Sequence, residues 1–83
     1  MPTLVRAVFP GTFDPITLGH EDMLRRACAL FGEVIVAVAM AHHKKTLFTL
    51  DERLAITRQA LADMPKVRVE PFEGLVTEFA VAH

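Results

Sequence analysis

Residues 9–20 read FPGTFDPITLGH, and the fold turns on this stretch. An apolar run leads into it, Pro10 and Gly11 break that run, and Asp14-Pro15 shapes the loop beyond them. A residue before proline avoids helical angles, so the loop stays open until a helical pattern starts near Gly19 and His20. The stretch therefore reads as a strand that stops sharply, a short loop, and a helix with an imidazole in its first turn. The first amides of a helix lack intrahelical partners and carry partial positive charge. Such a corner attracts phosphate.

Working outward, residues 3–9 (TLVRAVF) form a buried strand ended by Pro10-Gly11. Residues 33–40 (EVIVAVAM) are apolar throughout rather than alternating, which marks a strand covered on both faces in a parallel sheet. Residues 66–72 (KVRVEPF) give a third strand, with Pro71 near its end. Between the first two strands, His20, Met23, Leu24, Ala27 and Phe31 recur at helical spacing over residues 19–30. Thr17 is the expected N-cap, and Phe31-Gly32 the expected stop. A second helix opens on a capping box, Thr49 with Glu52, and takes Leu50, Leu54, Ile56, Ala60, Leu61 and Met64 as apolar positions before Pro65. Residues 76–82 predict a third helix. Strand–helix alternation of this kind predicts an α/β, Rossmann-like parallel sheet with flanking helices and right-handed crossovers. Ligands of such sheets bind outside the carboxyl ends of the strands. The chemistry is thus expected in residues 10–18, 41–48 and 72–75.

Composition narrows the function. The chain has 83 residues, 52% hydrophobic and 23% charged, with a net charge of −1. That is globular and argues against a general nucleic-acid binder, which would be basic. The apolar share is high for so short a chain and predicts a missing portion or a partner chain. The lone cysteine, Cys28, suits a reducing compartment and reads as core filler. The start lacks a signal-peptide pattern, and no apolar run reaches the ~20 residues of a membrane span. A soluble, cytoplasmic protein with no membrane partner is expected.

Within the first loop, Gly11 would let a ligand approach the main chain, and Thr12 offers a hydroxyl and an amide. His20 can donate to a phosphate oxygen, yet it also shares a helical face with Leu24, Ala27 and Phe31, as an ordinary half-buried histidine would. The loop lacks the glycine spacing of a dinucleotide fingerprint and the Gly-Lys-Ser/Thr of a P-loop. After the second strand, AHHKKTLF (residues 41–48) is a local cationic cluster. His42 and His43, without a third ligand, make weak metal candidates, so no metal-ligating residue is assigned. Arg53, Arg58 and Arg68 are expected at the surface or in ion pairs.

The run GTFDPITLGH resembles the signature of the nucleotidyltransferase superfamily with an H-x-G-H or T-x-G-H motif, here Thr17-Leu18-Gly19-His20. Within it the chain is most similar to the phosphopantetheine adenylyltransferase family, whose opening is matched from Phe9 on. Phe9 stands where tyrosine is common, and residues 44–53 (KKTLFTLDER) continue the match. The resemblance implies transfer of adenylyl from ATP to 4′-phosphopantetheine, giving dephospho-coenzyme A and pyrophosphate in coenzyme A biosynthesis. It implies catalytic roles for Thr12, His20 and Lys44, and substrate or ATP contacts at Gly11, Thr12, Phe13, His20, Lys44, Leu75 and Val76. It also implies magnesium held mainly by the substrate phosphates, and a homo-oligomer, a hexamer in the family. Family members are about twice as long. The chain is therefore expected to be the N-terminal part (residues 1–83) of a single nucleotidyltransferase domain, inactive alone. The competing readings are another adenylyl- or cytidylyltransferase of the superfamily, such as a nicotinate mononucleotide adenylyltransferase, and a non-catalytic phosphate-binding module. The former usually have histidine where Thr17 stands.

Overall fold

The computed structural model describes residues 5–40 and 46–73. In chain order these form β1 (Arg6–Gly11), α1 (Leu18–Leu30), β2 (Glu33–Ala39), α2 (Leu50–Ala60) and β3 (Val67–Phe72). The strands make one parallel sheet in the order β1-β2-β3, with Arg6 opposite Glu33 and Val34 opposite Val67. The α/β, Rossmann-like arrangement expected from the alternation is present. The expected helix at 76–82 lies outside the described residues.

Both connections step the same way across the sheet. Right-handed crossovers then put both helices on one face. That face holds the main core: Val34, Val36 and Val38 of β2 meet Leu24 and Ala27 of α1, and Leu54 of α2 with Leu61 and Met64 beyond it. The uniformly apolar β2 is explained by burial on both sides, since Ile35 and Ala37 are buried on the opposite face with Val8 and Phe72 packed against them. That second face also carries an ionic row. Arg6 pairs with Glu33 at 2.8 Å, and Arg68 with Glu70 at 3.2 Å.

Two boundaries and one face position differ from what the sequence predicts. β1 runs through Pro10 and Gly11 rather than stopping at them. Pro10 is tolerated because β1 is an edge strand of the described sheet, where one side of the backbone needs no ladder bond. The second helix ends at Ala60 with Leu61 as its C-cap, so Met64 enters the core from the following turns instead of from the helix. On α1, Met23 is exposed, and the buried stripe is Leu24 and Ala27.

Candidate functional site

α1 begins where the sequence places it, on Thr17, but its cap is closed by an unexpected partner. The Thr17 side chain accepts from the His20 amide at 3.2 Å, and the Thr17 amide donates to His20 Nδ1 at 3.0 Å. This is a reciprocal capping box with histidine in the place usually held by glutamate or glutamine. The consequence is chemical as well as structural. A neutral imidazole whose Nδ1 accepts a hydrogen bond carries its proton on Nε2. Thr17 Oγ1 also lies 3.1 Å from Nδ1, and with the Thr17 amide donating to that nitrogen a neutral ring presents its Nε2–H on the side away from Thr17. Beside it, the amides of Leu18 and Gly19 at the head of α1 make no hydrogen bond among the described residues.

The loop between β1 and α1 is held from inside. Phe13 has φ 49°, in the left-handed region that non-glycine residues seldom enter. Its ring is buried and meets the His20 ring edge-on, with centroids 5.0 Å apart. A Cβ on Gly11 would come within 2.9 Å of that ring. The requirement for glycine at 11 is therefore internal: the Phe13 ring fills the direction a side chain would take. With its ring buried, Phe13 leaves only its main chain for contact with a ligand.

Two further residues, neither expected from the sequence, tie this loop to the second crossover. Asp14 accepts from the Leu47 and Phe48 amides at 2.6 and 2.9 Å. Arg53, expected at the surface or in an ion pair, is 2% exposed. Its Nη1 donates to the carbonyls of Thr12 (2.9 Å) and Ala39 (2.7 Å), and its Nε to that of Phe48 (3.2 Å). The second helix starts, as expected, on the Thr49–Glu52 capping box, and this turn brings Arg53 inward. The signal for Arg53 was its position, since it lies three residues after Leu50 and beside Leu54 on the buried stripe. Arg68 keeps its expected ion pair, and Arg58 donates to the Val69 carbonyl at the surface.

The structure thus gathers Gly11, Thr12, Phe13 and His20 at the carboxyl end of β1. Lys44, Leu75 and Val76 lie outside the described residues. The described residues flanking the Lys44 segment reach the same pole: Met40 donates to the Phe72 carbonyl at 3.1 Å, and Leu47 is held by Asp14. Among the described residues there is no group of three metal-ligating side chains and no helix long and apolar enough to cross a membrane. A separate hollow of about 220 Å³ lies at the opposite pole, lined by Arg25, Cys28, Asp63 and Lys66 among others. Its polar groups already bind one another, Lys66 to the Cys28 carbonyl at 2.9 Å and Arg25 to Asp63 at 3.3 Å.

Comparison with known proteins bears on the same corner. A cytidylyltransferase-like family model matches residues 8–83, the whole of the loop and its helix included. The chain is 74% identical over 78 residues to a phosphopantetheine adenylyltransferase of Acidovorax sp. (strain JS42), covering 94% of this chain and 47% of the relative. It is 58% identical over 76 residues to the phosphopantetheine adenylyltransferase of Thiobacillus denitrificans, covering 92% and 48%. With that of Nitrosospira multiformis it shares 60% over 75 residues, covering 90% and 46%. The chain spans about half the length of the curated relatives it matches. A family match that runs almost the full length of the chain, over a parallel sheet whose first loop ends in a capped histidine, leads to one conclusion: the chain belongs to the cytidylyltransferase-like family.

Proposed function

We propose that the protein carrying this chain transfers the adenylyl group of ATP to 4′-phosphopantetheine, releasing pyrophosphate and forming dephospho-coenzyme A. The observation that carries the reading is the His20 cap, which leaves an Nε2–H donor beside unpaired helix amides at a strand end. The names of the similar proteins support the same substrates.

In this reaction the acceptor phosphate attacks the α-phosphorus in line, the bond to the bridging oxygen breaks, and pyrophosphate leaves. The nucleophile is already an anion, so no strong general base is required. The barrier comes from bringing two anions together and from charge gathering on the phosphoryl oxygens. Thr12 positions the acceptor phosphate. His20 Nε2–H donates to an α-phosphate oxygen, and the Thr17 amide bond to Nδ1 holds the ring in place for it. By the family resemblance, Lys44 would offset repulsion between the anions, and Leu75 and Val76 would serve the pantetheine arm. Both Asp14 oxygens accept from backbone amides and the described residues hold no group of three metal-ligating side chains, so these residues fit magnesium carried on the triphosphate. When bound, that ion withdraws charge from the phosphate oxygens. The active protein is a homo-oligomer of full-length chains.

The test is pyrophosphate release by the full-length protein offered ATP or CTP with 4′-phosphopantetheine, nicotinate mononucleotide or glycerol phosphate. Turnover with ATP and phosphopantetheine alone is expected. Preference for a mononucleotide or for CTP would move the protein to another branch of the family. Binding of phosphopantetheine without turnover would make it a phosphate-binding module.

A further inference from the structure

We propose that Arg53 is a positioning residue, a buried clamp on three carbonyls that sets the Thr12 peptide and, through Phe13, the ring of His20 for phosphoryl chemistry. The inference rests on the adenylyl-transfer reading for its activity readout only.

Arg53 stands in the first turns of α2, and its guanidinium reaches three separate segments. These are the loop after β1 at Thr12, the end of β2 at Ala39, and the lead into α2 at Phe48. A charge withdrawn from water is costly unless polar groups replace its hydration. Here the replacement is three carbonyl dipoles, and an apolar side chain at this stripe position would have served packing alone. The Thr12 carbonyl belongs to the peptide that joins Thr12 to Phe13. Fixing that peptide fixes the plane from which Phe13 departs at φ 49°, a conformation that persists only under outside support. The Phe13 ring then meets His20 edge-on. One guanidinium therefore sets the orientation of both Thr12 and His20. The bond to Ala39 also fixes how far the loop stands from the strand end that leads toward Lys44. Arg53 is 2% exposed and acts through these groups, without touching substrate. Lysine keeps the charge but offers a point donor in place of a planar fork.

The test uses full-length protein with Arg53→Met and Arg53→Lys. The kcat and KM values for ATP and phosphopantetheine are measured beside far-UV circular dichroism and the imidazole ¹⁵N shifts of His20. Misplacement of reacting groups by about 1 Å costs on the order of 10²-fold in rate. A comparable loss of kcat is expected for Arg53→Met, with KM changed less than ~3-fold and His20 shifts displaced from the single Nε2–H pattern. Arg53→Lys is expected to remain folded and to recover only part of the rate. If Arg53→Met fails to fold, Arg53→Lys decides. Folded variants with near wild-type kcat and unchanged His20 shifts overturn the proposal. So does full recovery by lysine, or failure of both variants to fold, which would give Arg53 a folding role alone. Absence of turnover by the wild-type protein overturns the adenylyl-transfer reading instead, and the His20 shifts then decide on Arg53.

Discussion

The cap role of His20 and the donor role proposed for it use opposite ends of the ring, so substitution can separate the two. His20→Ala removes the acceptor for the Thr17 amide at 3.0 Å and the edge contact to Phe13. A hydrogen bond at such an exposed cap contributes about 0.5–1.5 kcal/mol. The aromatic contact adds about 0.5–1.5 kcal/mol, and alanine returns about 0.5 kcal/mol of helix propensity. The expected net loss of stability is therefore roughly 1–2 kcal/mol. Loss of one preorganised donor to a developing charge costs more, about 10²–10³ in rate, or ~2.7–4 kcal/mol. His20→Glu rebuilds the capping box and adds a favourable charge at the helix head, so stability should return close to wild type. It supplies no donor and brings an anion against phosphate, so turnover should fall below that of His20→Ala. His20→Gln can both accept from Thr17 and present an N–H, and should lie between histidine and alanine in rate. The stability order is thus His, Glu and Gln above Ala, while the rate order is His, Gln, Ala, Glu. Urea denaturation and steady-state turnover of the full-length variants give both orders. If turnover simply followed stability, with His20→Glu fast and His20→Ala slow, the ring would be a helix cap and nothing more.

Gly11→Ala should lower stability by about 1–3 kcal/mol, the range for overpacking, because its methyl would lie 2.9 Å from the buried Phe13 ring. The urea midpoint checks this, and a neutral result would mean that the ring moves freely. Thr57→Val should raise stability by up to ~1 kcal/mol, since the Thr57 hydroxyl is fully buried and finds no hydrogen-bond partner among the described residues. A loss of stability on calorimetry would reveal a partner for that hydroxyl. Asp14→Ala should cost about 2–4 kcal/mol by freeing the Leu47 and Phe48 amides, and Asp14→Asn about half of that because one acceptor remains. Faster amide hydrogen exchange at residues 47 and 48 would report the same loss locally, and unchanged exchange would refute it.

Local chemistry that announces itself was legible in the sequence. The Thr49–Glu52 box pairs residues three apart with the usual side chains, so the start of α2 was visible. The start of α1 was visible from Thr17, but the role of His20 in closing its own cap was not, because histidine is not the usual partner. Uniform apolarity predicted β2. Long-range bonds left no such trace. Asp14 reads as a turn residue until Leu47 and Phe48 are folded onto it. The left-handed Phe13 has no glycine or asparagine to advertise it. Arg53 was misplaced because its charge outweighed its position: Leu50, Arg53, Leu54, Thr57 and Leu61 share one helical stripe, and the interior accepted the two polar members.

The position of the capped histidine also fits the strand order. In an open parallel sheet the ligand crevice forms where the strand sequence reverses direction, because the loops on either side of that point part to opposite faces. Here β2 and β3 extend one way from β1, and both helices fall on the same face. β1 is thus the edge at which a further strand, added by a right-handed crossover on its free side, would bring its helix to the opposite face. That face already buries Ile35 and Ala37 and keeps the Arg6–Glu33 pair. The crevice would open directly over the carboxyl end of β1, from which the chain runs through Thr12 to the head of α1 and His20. The phosphate site proposed on β1 would therefore lie at the one strand end that such a sheet leaves open, with the Asp14 and Arg53 bonds bracing its loop from the closed side.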